Sequence, residues 1–458
     1  MRLVQRIPPE APIDSFYHHP ESNQEMICQG TACFVARGLN PRLWEQACFQ
    51  EKRVYCLGRC YAAPSRSSDE SLPIVEVHSR CAVVMERIGP SYEALWMARS
   101  RTPGRIVEDI EASELRGRGG AGFPTGRKWR AVHRQPSHIK YVVANADEGD
   151  PGAFIDRIIM EDDPHRLLAG MAIAAYAVGA SKGIIYLRAE YTRAHDILQK
   201  AINEARVDFE FQIVRGHGSY VCGEETAMLN SIEGKRPEVR TRPPYPTESG
   251  LFGRPTLVNN VETFATVPWI IQHGPETYRA LGFSKSRGTK LVSLNSLFGR
   301  PGLYEIEFGI PVRRVCEEIG GGLKNGSLRG VIVGGPLAGI IPPSLLDTPF
   351  GFEELQGIGA AVGHGGIVAF DESTSIRELV EHVLSFAAYE SCGKCTPCRI
   401  GNAALVRSLQ DRSLKRSQWD EIISAMARTS LCGLGTGVAE FAQSVSRYYG
   451  KELASCFT

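Results

Sequence analysis

The stretch from Arg116 to Trp129 constrains the fold of this chain more than any other. It reads RGRGGAGFPTGRKW, with five glycines in ten residues and four cationic side chains in or beside them. Glycine adopts positive φ and lets backbone N–H groups approach a ligand closely. Such a run, ending in a lysine, suits a phosphate, because amides cradle the oxygens and Lys128 adds a point charge. Phe123 and Trp129 offer flat surfaces for a ring system.

Two familiar phosphate motifs do not fit this stretch. Residues 117–122 match G-x-G-x-x-G, but that fingerprint requires a preceding strand. Residues 106–115 instead have apolar side chains at helical spacing, which predicts an amphipathic helix. No Gly-Lys-Ser/Thr follows at the spacing of a P-loop. The stretch is therefore either a phosphate loop of another kind or a flexible surface turn.

Length and composition limit the class of protein. The 458 residues suggest about three domains, and 43% hydrophobic with 22% charged residues is typical of a soluble globular protein. A net charge of +1 gives no reason to expect nucleic acid or an anionic membrane as a partner. The N-terminus lacks the apolar core of a signal peptide, and the longest apolar run, residues 167–180, is too short to span a bilayer. We therefore expect a cytoplasmic protein without direct membrane insertion.

The chain has thirteen cysteines, which is many for a cytoplasmic protein. Structural disulfides are disfavoured in a reducing compartment, and clustered cysteines there indicate a metal site. Eight of the cysteines form two sets. For the other five we expect buried or inert thiols; these are Cys48, Cys81, Cys222, Cys316 and Cys456.

The first set has the spacing C-x4-C, then 22 residues, then C-x3-C, and consists of Cys28, Cys33, Cys56 and Cys60. Each pair follows a predicted short strand, at residues 25–27 and 53–55, and a third strand is predicted at 73–77. Two hairpin-like tips could then bring four thiolates together, which suits zinc or a 2Fe–2S cluster. The loops are wider than those of zinc knuckles and contain glycine, which favours the cluster.

The second set follows a predicted helix at residues 376–389 and has the spacing C-x2-C-x2-C, with a distant fourth member. Its residues are Cys392, Cys395, Cys398 and Cys432. Three thiolates in one loop can occupy three corners of a cube, and Cys432 can supply the fourth, which is typical of a 4Fe–4S site. Zinc is disfavoured because three cysteines at this spacing crowd a tetrahedron.

Between the cysteine sets, strands and helices alternate in a βαβ-like pattern that predicts a parallel sheet. The predicted elements are a strand at 139–144, a helix at 164–178, a strand at 183–188, a helix at 193–204 and a strand at 209–214. The first strand ends in NADEGDPG, and side chains at the carboxyl end of such a strand point into the ligand crevice. Paired strands at 289–294 and 302–306, with another at 331–333, indicate a β-rich scaffold.

Two polar pairs lie later in the sheet region, and each has two interpretations. Glu224 and Glu225 follow a glycine at a predicted helix start, where they either bind a ligand or complement the helix dipole. Asn259 and Asn260 either bond the edge of a heterocycle or form a turn.

Five long motifs carry a resemblance to a known family: RGRGGAGFPTGRKW, NADEGDPG, YVCGEETAMLNSIEG, NNVET and ESCGKCTPCR. Over about residues 100–458 the chain resembles the NADH-binding flavoprotein subunit of respiratory complex I. It is similar, too, to the diaphorase subunits of NAD-linked formate dehydrogenases and NAD(P)-reducing hydrogenases. The resemblance implies an α/β multidomain fold of four parts. They are a shortened thioredoxin-like 2Fe–2S domain (1–95), a Rossmann-like FMN/NADH domain (100–272), a β-grasp-like SLBB domain (275–368) and a helical 4Fe–4S bundle (370–458).

The resemblance also implies roles for individual residues. For the flavin phosphate and ring it implies Gly117, Arg118, Gly119, Gly120 and Lys128. For the ribityl and isoalloxazine groups it implies Asn145, Asp147, Gly223, Glu224, Asn259 and Asn260. The residues implied to hold NADH against the flavin are Phe123, Glu225 and Tyr245. Glu148 and Asp150 would line the same pocket, and the resemblance implies Leu434 as a further cofactor-binding residue.

The implied activity is hydride transfer between NAD(H) and FMN, followed by one-electron transfer through the 4Fe–4S and 2Fe–2S clusters to or from a partner. Expected partners are catalytic dehydrogenase or hydrogenase subunits and small iron–sulfur subunits. Asp150 stands where complex I sequences often carry Glu, and NADEGDPG is more similar to the formate dehydrogenase and hydrogenase branch. We expect the partner to belong to a cytoplasmic NAD-dependent formate dehydrogenase.

Several alternatives remain open. The partner could be an NAD(P)-reducing or bifurcating hydrogenase, or the chain could be a complex I subunit. A membrane-linked NADH:ferredoxin oxidoreductase component would carry further ferredoxin-type cysteine runs. A non-catalytic scaffold with zinc at both cysteine sets is the alternative from another class.

Overall fold

The computed structural model describes residues 25–50, 53–216 and 219–457, which form two compact units. Of the described residues, the first unit contains those of Ala82–Gly149 and Asp156–Leu281, and the second contains those up to Cys81, Asp150–Ile155 and those from Gly282 onward. The N-terminal sequence in which we expect no signal peptide lies outside the described residues.

The described residues form strands in both units. In chain order the strands are β1 (Ile74–His78), β2 (Tyr141–Ala146), β3 (Lys182–Leu187), β4 (Glu210–Arg215), β5 (Thr256–Asn260), β6 (Gly282–Phe283), β7 (Ser286–Arg287), β8 (Thr289–Leu294), β9 (Gly302–Glu307), β10 (Leu328–Val333), β11 (Ile340–Ile341) and β12 (Gly366–Asp371).

The α-helices are longest in the C-terminal part of the chain. In order they are α1 (Thr31–Val35), α2 (Pro41–Phe49), α3 (Glu93–Arg99), α4 (Pro103–Ala112), α5 (Thr125–His133), α6 (Ile155–Asp162), α7 (Pro164–Val178), α8 (Thr192–Glu204), α9 (Glu225–Ile232), α10 (Pro246–Ser249), α11 (Val261–His273), α12 (Pro275–Arg279), α13 (Val312–Arg314), α14 (Phe352–Gly357), α15 (Ile376–Glu390), α16 (Thr396–Asp411), α17 (Arg416–Thr429) and α18 (Gly433–Leu453).

The first unit is built on a parallel sheet of four strands in the order β4–β3–β2–β5. The predicted strands and the βαβ pattern are therefore confirmed. Helix α7 is buried around nearly its whole circumference, as expected for a helix that is apolar on every face. A Cβ on Gly170 would lie 2.6 Å from the carbonyl carbon of Phe264, so glycine permits the close contact between α7 and α11.

The second unit contains a mixed sheet of six strands in the order β1–β9–β8–β12–β10–β11. Strands β8 and β9 are antiparallel, as predicted, and β1 lies at an edge, parallel to β9. The core beneath this sheet is made largely of aliphatic and aromatic side chains from β8, β9, β10 and β12, including Leu294, Tyr304, Val331 and Ile367.

The prediction of a thioredoxin-like domain over residues 1–95 is wrong for the described part of that range. The segments at 25–27 and 53–55 are not strands, and Ile27 forms only an isolated bridge with Arg66. The strand predicted at 73–77 exists as β1, but its partner is β9 of the mixed sheet. Residues from Ala82 onward belong to the first unit. A thioredoxin-like domain needs a sheet of its own, which residues 25–50 and 53–95 do not form.

The C-terminal region is helical, as predicted for residues 370–458. Helices α15 to α18 pack as neighbours, with α15 against α16 and α18, and α17 against α16 and α18. Ser375 caps α15 by accepting a hydrogen bond from the Glu378 N–H at 3.4 Å. Among the described helices, none combines the length and the apolar character required to cross a bilayer.

Candidate functional site

The glycine-rich loop connects α4 to α5 and is folded back on itself. The Gly117 N–H donates to the Phe123 carbonyl at 2.9 Å, and the Thr125 N–H donates to the Leu115 carbonyl at 2.8 Å. Gly120 and Gly122 have φ of +122° and +59°, which side chains rarely tolerate. The helix predicted before the loop is confirmed as α4. The glycines therefore belong to a loop of defined conformation and do not merely interrupt the secondary structure.

This loop lies against the end of β5. A Cβ on Gly119 would lie 2.9 Å from the Cβ of Asn260, so only glycine allows this approach of the backbone. Asn260 caps α11, since its Oδ1 accepts from the Thr263 N–H at 3.2 Å, and its Nδ2 donates to Asp156 at 2.6 Å. The Asn260 amide thus holds the edge of the site together.

Lys128 joins three elements at the same edge. Its ammonium donates to the Val258 carbonyl of β5 at 3.1 Å and to the Glu225 carboxylate at the start of α9 at 3.0 Å. Arg242 contacts the other oxygen of Glu225 at 3.4 Å. Glu225 therefore lies between two cations, and the Lys128 side chain keeps 21% of its surface exposed.

The end of β2 completes the edge. Asn145 lies opposite Asn260 in the parallel pairing of β2 with β5, and its Nδ2 donates to the Gly223 carbonyl at 2.7 Å. The carboxyl ends of neighbouring parallel strands form the usual ligand crevice of such sheets. The structure brings the predicted residues Asn145, Gly223, Asn260, Gly119 and Lys128 together there. A close-packed glycine backbone and a partly exposed ammonium fit a phosphate-bearing cofactor such as FMN.

The aromatic side chains near the loop differ in exposure. Phe123 and Tyr245 are 51% and 52% exposed, so both rings are accessible to a ligand. Trp129 is fully buried, and its Nε1 donates to the Asn259 Oδ1 at 3.0 Å. The expectation that Trp129 offers a surface for a ring system is therefore wrong, because this ring belongs to the core and orients Asn259.

Two carboxylates of the predicted site serve helix N-termini. Glu224 caps α9 and accepts from the Thr226 and Ala227 N–H groups, each at 2.9 Å. Its interpretation as a complement to the helix dipole is therefore correct. Glu148 is buried and accepts from the Asp156 N–H, the Arg157 N–H and the Tyr191 hydroxyl, all at 3.0 Å. It caps α6, and both of its carboxylate oxygens accept hydrogen bonds.

Three other predicted residues have surroundings that the sequence did not indicate. Arg118 is buried, and its guanidinium donates to the Tyr278 hydroxyl at 2.6 Å and to the Arg116 carbonyl at 2.9 Å. Asp147 is buried, and its charge raises the pKa of Tyr186 after the larger effect of burial. Asp150 clusters with the second unit, where a Cβ on Gly335 would lie 2.8 Å from its Oδ1.

The first cysteine set is brought together in the second unit, and all four thiols are buried: Cys28, Cys33, Cys56 and Cys60. The Sγ atoms of Cys56 and Cys60 are 3.3 Å apart, and backbone N–H groups of Gly30 and Gly58 point at thiol sulfurs at 3.3 and 3.2 Å.

Contact with neighbouring thiols, and then burial, raise the pKa of Cys28 and of Cys60. Four such groups ionise together only with a cation among them. The buried thiols and the amide donors therefore fit a metal cluster.

The second cysteine set surrounds the beginnings of two helices. Cys395 caps α16 and Cys432 caps α18, while Cys398 lies in the first turn of α16. Burial, and then the charges of Cys395, Cys432 and Cys392, raise the pKa of Cys398 to about 12. The positive ends of helix dipoles favour negative charge, which fits an anionic 4Fe–4S cluster. Leu434 lies buried in the first turn of α18.

Three residues of these sites were missed by sequence reasoning. Asp156 is buried and holds Asn260, and Arg242 contacts Glu225. Asn402 donates from Nδ2 to the Cys398 sulfur at 3.3 Å. Only Asn402 had a recognisable signal, because it follows Cys398 by one helical turn.

Comparisons with known proteins agree with this geometry. The family model of the Nuo51 FMN-binding domain matches residues 110–269, and that of the NADH-ubiquinone oxidoreductase-F iron–sulfur binding region matches residues 378–456. The F 2 subunit of NADH-quinone oxidoreductase in Rhizobium meliloti (strain 1021) is 41% identical over 388 residues, covering 80% of this chain and 92% of that protein. The HndC subunit of the NADP-reducing hydrogenase of Solidesulfovibrio fructosivorans is 42% identical, covering 75% of this chain and 74% of that protein.

A solved structure is similar over nearly the whole chain. The crystal structure of an NAD+-reducing NiFe-hydrogenase in the air-oxidized state has a chain with a TM-score of 0.85 and 29% identity. The match covers 97% of this chain and 87% of that one. The chain therefore belongs to the family that contains the F subunits of NADH-quinone oxidoreductases and the hydrogenase diaphorase subunits, and is an oxidoreductase subunit with FMN-binding and 4Fe–4S-binding regions.

Proposed function

We propose that the chain is the diaphorase subunit of a cytoplasmic, hetero-oligomeric NAD-dependent formate dehydrogenase. It would exchange hydride between NAD(H) and FMN and exchange single electrons through a 4Fe–4S and a 2Fe–2S cluster with a partner subunit. The observation that carries the diaphorase assignment is the convergence of Lys128, the Gly119 backbone and Asn145 within the region matched by the FMN-binding family model.

The residues of this crevice have distinct tasks in the proposal. The loop amides from Gly117 to Gly120 and the Lys128 ammonium would hold the phosphate, since two of the three Lys128 donors are already fixed by Val258 and Glu225. Asn145 and Asn259 would orient polar groups of the cofactor. When bound, FMN supplies the conversion between two-electron hydride chemistry and one-electron chemistry.

The nicotinamide substrate would be held by exposed groups. Phe123 and Tyr245 offer accessible rings on which a flat heterocycle can stack. Glu225, fixed by Lys128 and Arg242, would accept hydrogen bonds from ribose hydroxyls. In this proposal the three residues position the substrate and exclude water. They do not have to act as acids or bases, because no proton is transferred at the reacting atoms.

The 2Fe–2S cluster is proposed for the first cysteine set. Four buried thiols, with the Cys56 and Cys60 sulfurs 3.3 Å apart, support it, together with amide donors from Gly30 and Gly58. The wide C-x4-C and C-x3-C loops favour this cluster over zinc.

An anaerobic visible spectrum of the chain, reconstituted with FMN and before and after NADH, tests the diaphorase assignment. We expect a flavin band near ~450 nm over broad iron–sulfur absorbance, bleached by NADH. The Lys128→Ala variant should retain its iron and bind FMN about tenfold or more weakly, as expected for a lost charge-assisted contact. A colourless, zinc-containing protein, or a brown one that binds no FMN, would refute the proposal.

The partner is tested on the native complex. Asp150 at the Glu position of complex I sequences supports the branch that contains formate dehydrogenases and hydrogenases, and of these we propose a formate dehydrogenase. The hydrogenase match over 97% of the chain favours an NAD(P)-reducing hydrogenase as the second candidate. The complex, purified through a tag on this chain, would be supplied with NAD⁺ and either formate or hydrogen. Reduction of NAD⁺ by formate would support a formate dehydrogenase, and reduction of NAD⁺ by hydrogen would support a hydrogenase. Oxidation of formate or hydrogen by this chain alone would contradict both.

A further inference from the structure

An aromatic contact lies between the two cysteine sets, and both sets belong to the second unit. Tyr55 directly precedes Cys56, and Tyr389 precedes Cys392 by three residues, at most about 11 Å of chain. The two tyrosine rings have centroids 5.8 Å apart. One ring from each cysteine loop therefore touches the other.

This contact is part of a larger group of rings on one face of α15. His382, Phe386 and Tyr389 have the spacing i, i+4, i+7, which places them on one side of a helix. Phe386 meets Tyr55 edge to face at 5.1 Å. His382 stacks on Phe34, the neighbour of Cys33, with centroids 4.4 Å apart and planes 12° apart. Each cysteine pair of the first set thus has a neighbouring aromatic ring, Phe34 or Tyr55, that packs against a ring of α15.

The two tyrosines differ in exposure: Tyr55 is buried, whereas Tyr389 keeps 38% of its surface exposed. Burial, and then Arg37 and Arg53, lower the pKa of His382 to about 3, so the imidazole stays neutral. Arg53 lies over the Tyr389 ring at 5.5 Å. Arg53 therefore lies beside the Tyr55–Tyr389 contact, and the two rings themselves form the packed path between the two cysteine loops.

We propose that the Tyr55–Tyr389 contact makes the two cysteine sites direct redox neighbours, so that the 2Fe–2S site is filled and emptied through the 4Fe–4S site. The inference rests on the proposed 2Fe–2S cluster and specifies its place in the electron route. One electron would cross in each event: a cluster at the second cysteine set would be oxidised by one electron, and one at the first set would be reduced by one. No bond forms and no proton moves. The alternative is that the rings only pack the N-terminal segment onto α15.

Electron paramagnetic resonance of the full chain, reconstituted with FMN, iron and sulfide, separates these two roles. In the dithionite-reduced protein, we expect spin–spin interaction between the two clusters, seen as broadening and faster relaxation of the 2Fe–2S signal. In freeze-quenched samples after NADH, the 2Fe–2S signal should follow the 4Fe–4S signal. Tyr389→Leu should slow that second phase about tenfold, equivalent to about 1.4 kcal/mol in the barrier. Tyr389→Phe, which keeps the ring, should leave it nearly unchanged.

Trp44 provides the matched control, because its ring belongs to the same group, 6.2 Å from His382, but has no place between Tyr55 and Tyr389. Trp44→Leu should weaken the packing without slowing the second phase. Equal slowing in Tyr389→Leu and Trp44→Leu, or reduced clusters without spin interaction, would overturn the proposal. Iron analysis separates this failure from that of the proposed function. About six iron atoms per chain indicate that both clusters are present, whereas about four would show that the 2Fe–2S cluster is absent.

Discussion

The two cysteine sets hold the same kind of ligand in contrasting ways. In the first set no cysteine is more than 2% exposed, and the donors directed at sulfur are backbone amides. In the second set Cys395 and Cys432 are partly exposed at the ends of α16 and α18, and the donor to Cys398 is the Asn402 side chain.

The difference shows two ways of stabilising a charged cluster. The second set depends on its own loop and on helix dipoles, which are local features. The first depends on packing by distant segments, since the Cys28 N–H donates to Ser65 and Gly30 lies against Pro151. The partly exposed set is therefore the more accessible of the two to another protein, whereas an electron would reach a cluster in the buried set only through protein.

Removal of one ligand from each set gives the largest expected effect. Cys398→Ala should lose about four iron atoms per chain and Cys56→Ala about two, because each leaves an incomplete ligand set. Iron analysis and electron paramagnetic resonance check this. Cys48→Ala, at an exposed thiol outside both sets, is the control. Loss of both clusters in either variant would show that the sets are not independent.

Two glycines at the start of α18 distinguish local packing from helix propensity. A Cβ on Gly435 would lie 2.6 Å from the Ser430 Cβ and 3.2 Å from the Cys398 Cβ, whereas one on Gly433 would meet nothing within 4 Å. Gly435→Ala should destabilise the 4Fe–4S site by about 1–3 kcal/mol, the usual cost of overpacking. The loss of cluster absorbance in urea measures this. Gly433→Ala should be neutral, and similar losses in both variants would contradict the argument.

The His382 imidazole makes the attachment of the first set sensitive to acid. Its pKa is lowered to about 3 in the folded chain against about 6.5 when unfolded, so below pH 6.5 the unfolded state binds more protons. The contribution to stability is present above pH 6.5 and is lost as the pH falls towards 3, with a slope of up to about 1.4 kcal/mol per pH unit. Thermal unfolding from pH 7 to 4 should show a shallower decline in His382→Phe. An unchanged decline would place the acid-sensitive groups elsewhere.

The Asn402 side chain should tune only the second set. Its N–H donor stabilises the more negative, reduced cluster, so Asn402→Ala should lower the reduction potential of the 4Fe–4S cluster by about 40 mV, the equivalent of about 1 kcal/mol. Ser408→Ala is a control on the same helix, since the Ser408 hydroxyl donates to the Leu405 carbonyl and not to sulfur. A redox titration that shows equal shifts in both variants, or a shift of the 2Fe–2S potential, would refute this role.

Much of the first unit could be predicted from the sequence, because its signals are local. The helix predicted at 164–178 is α7, and the strands predicted at 139–144 and 183–188 differ from β2 and β3 by one or two residues. The crevice residue Asn145 followed from its position after a predicted strand, whereas Asn260 was indicated only by the asparagine pair and by the family resemblance. The buried states of Trp129 and Arg118 could not be predicted, because they depend on partners more than 100 residues away, Asn259 and Tyr278.

The N-terminal segment shows which structural features local sequence patterns cannot predict. The runs at 25–27 and 53–55 are extended and apolar, but their backbone groups bond to side chains and loops, as in the donation from the Ile27 N–H to Gln50 at 2.8 Å. The alternating residues of β1 correctly predicted a strand. Nothing in them could indicate β9 as the partner, because pairing across such a separation is set by the tertiary fold.

The pairing of β1 with β9 has a consequence for biosynthesis. The cysteines of the first set are synthesised early, whereas β9, the partner of the neighbouring strand β1, begins only at Gly302. At ordinary rates of translation this leaves roughly 10–50 s during which the nascent chain carries four thiols before β1 can pair. A metal site at these cysteines would therefore be assembled late, and cluster delivery would have to be matched to that delay.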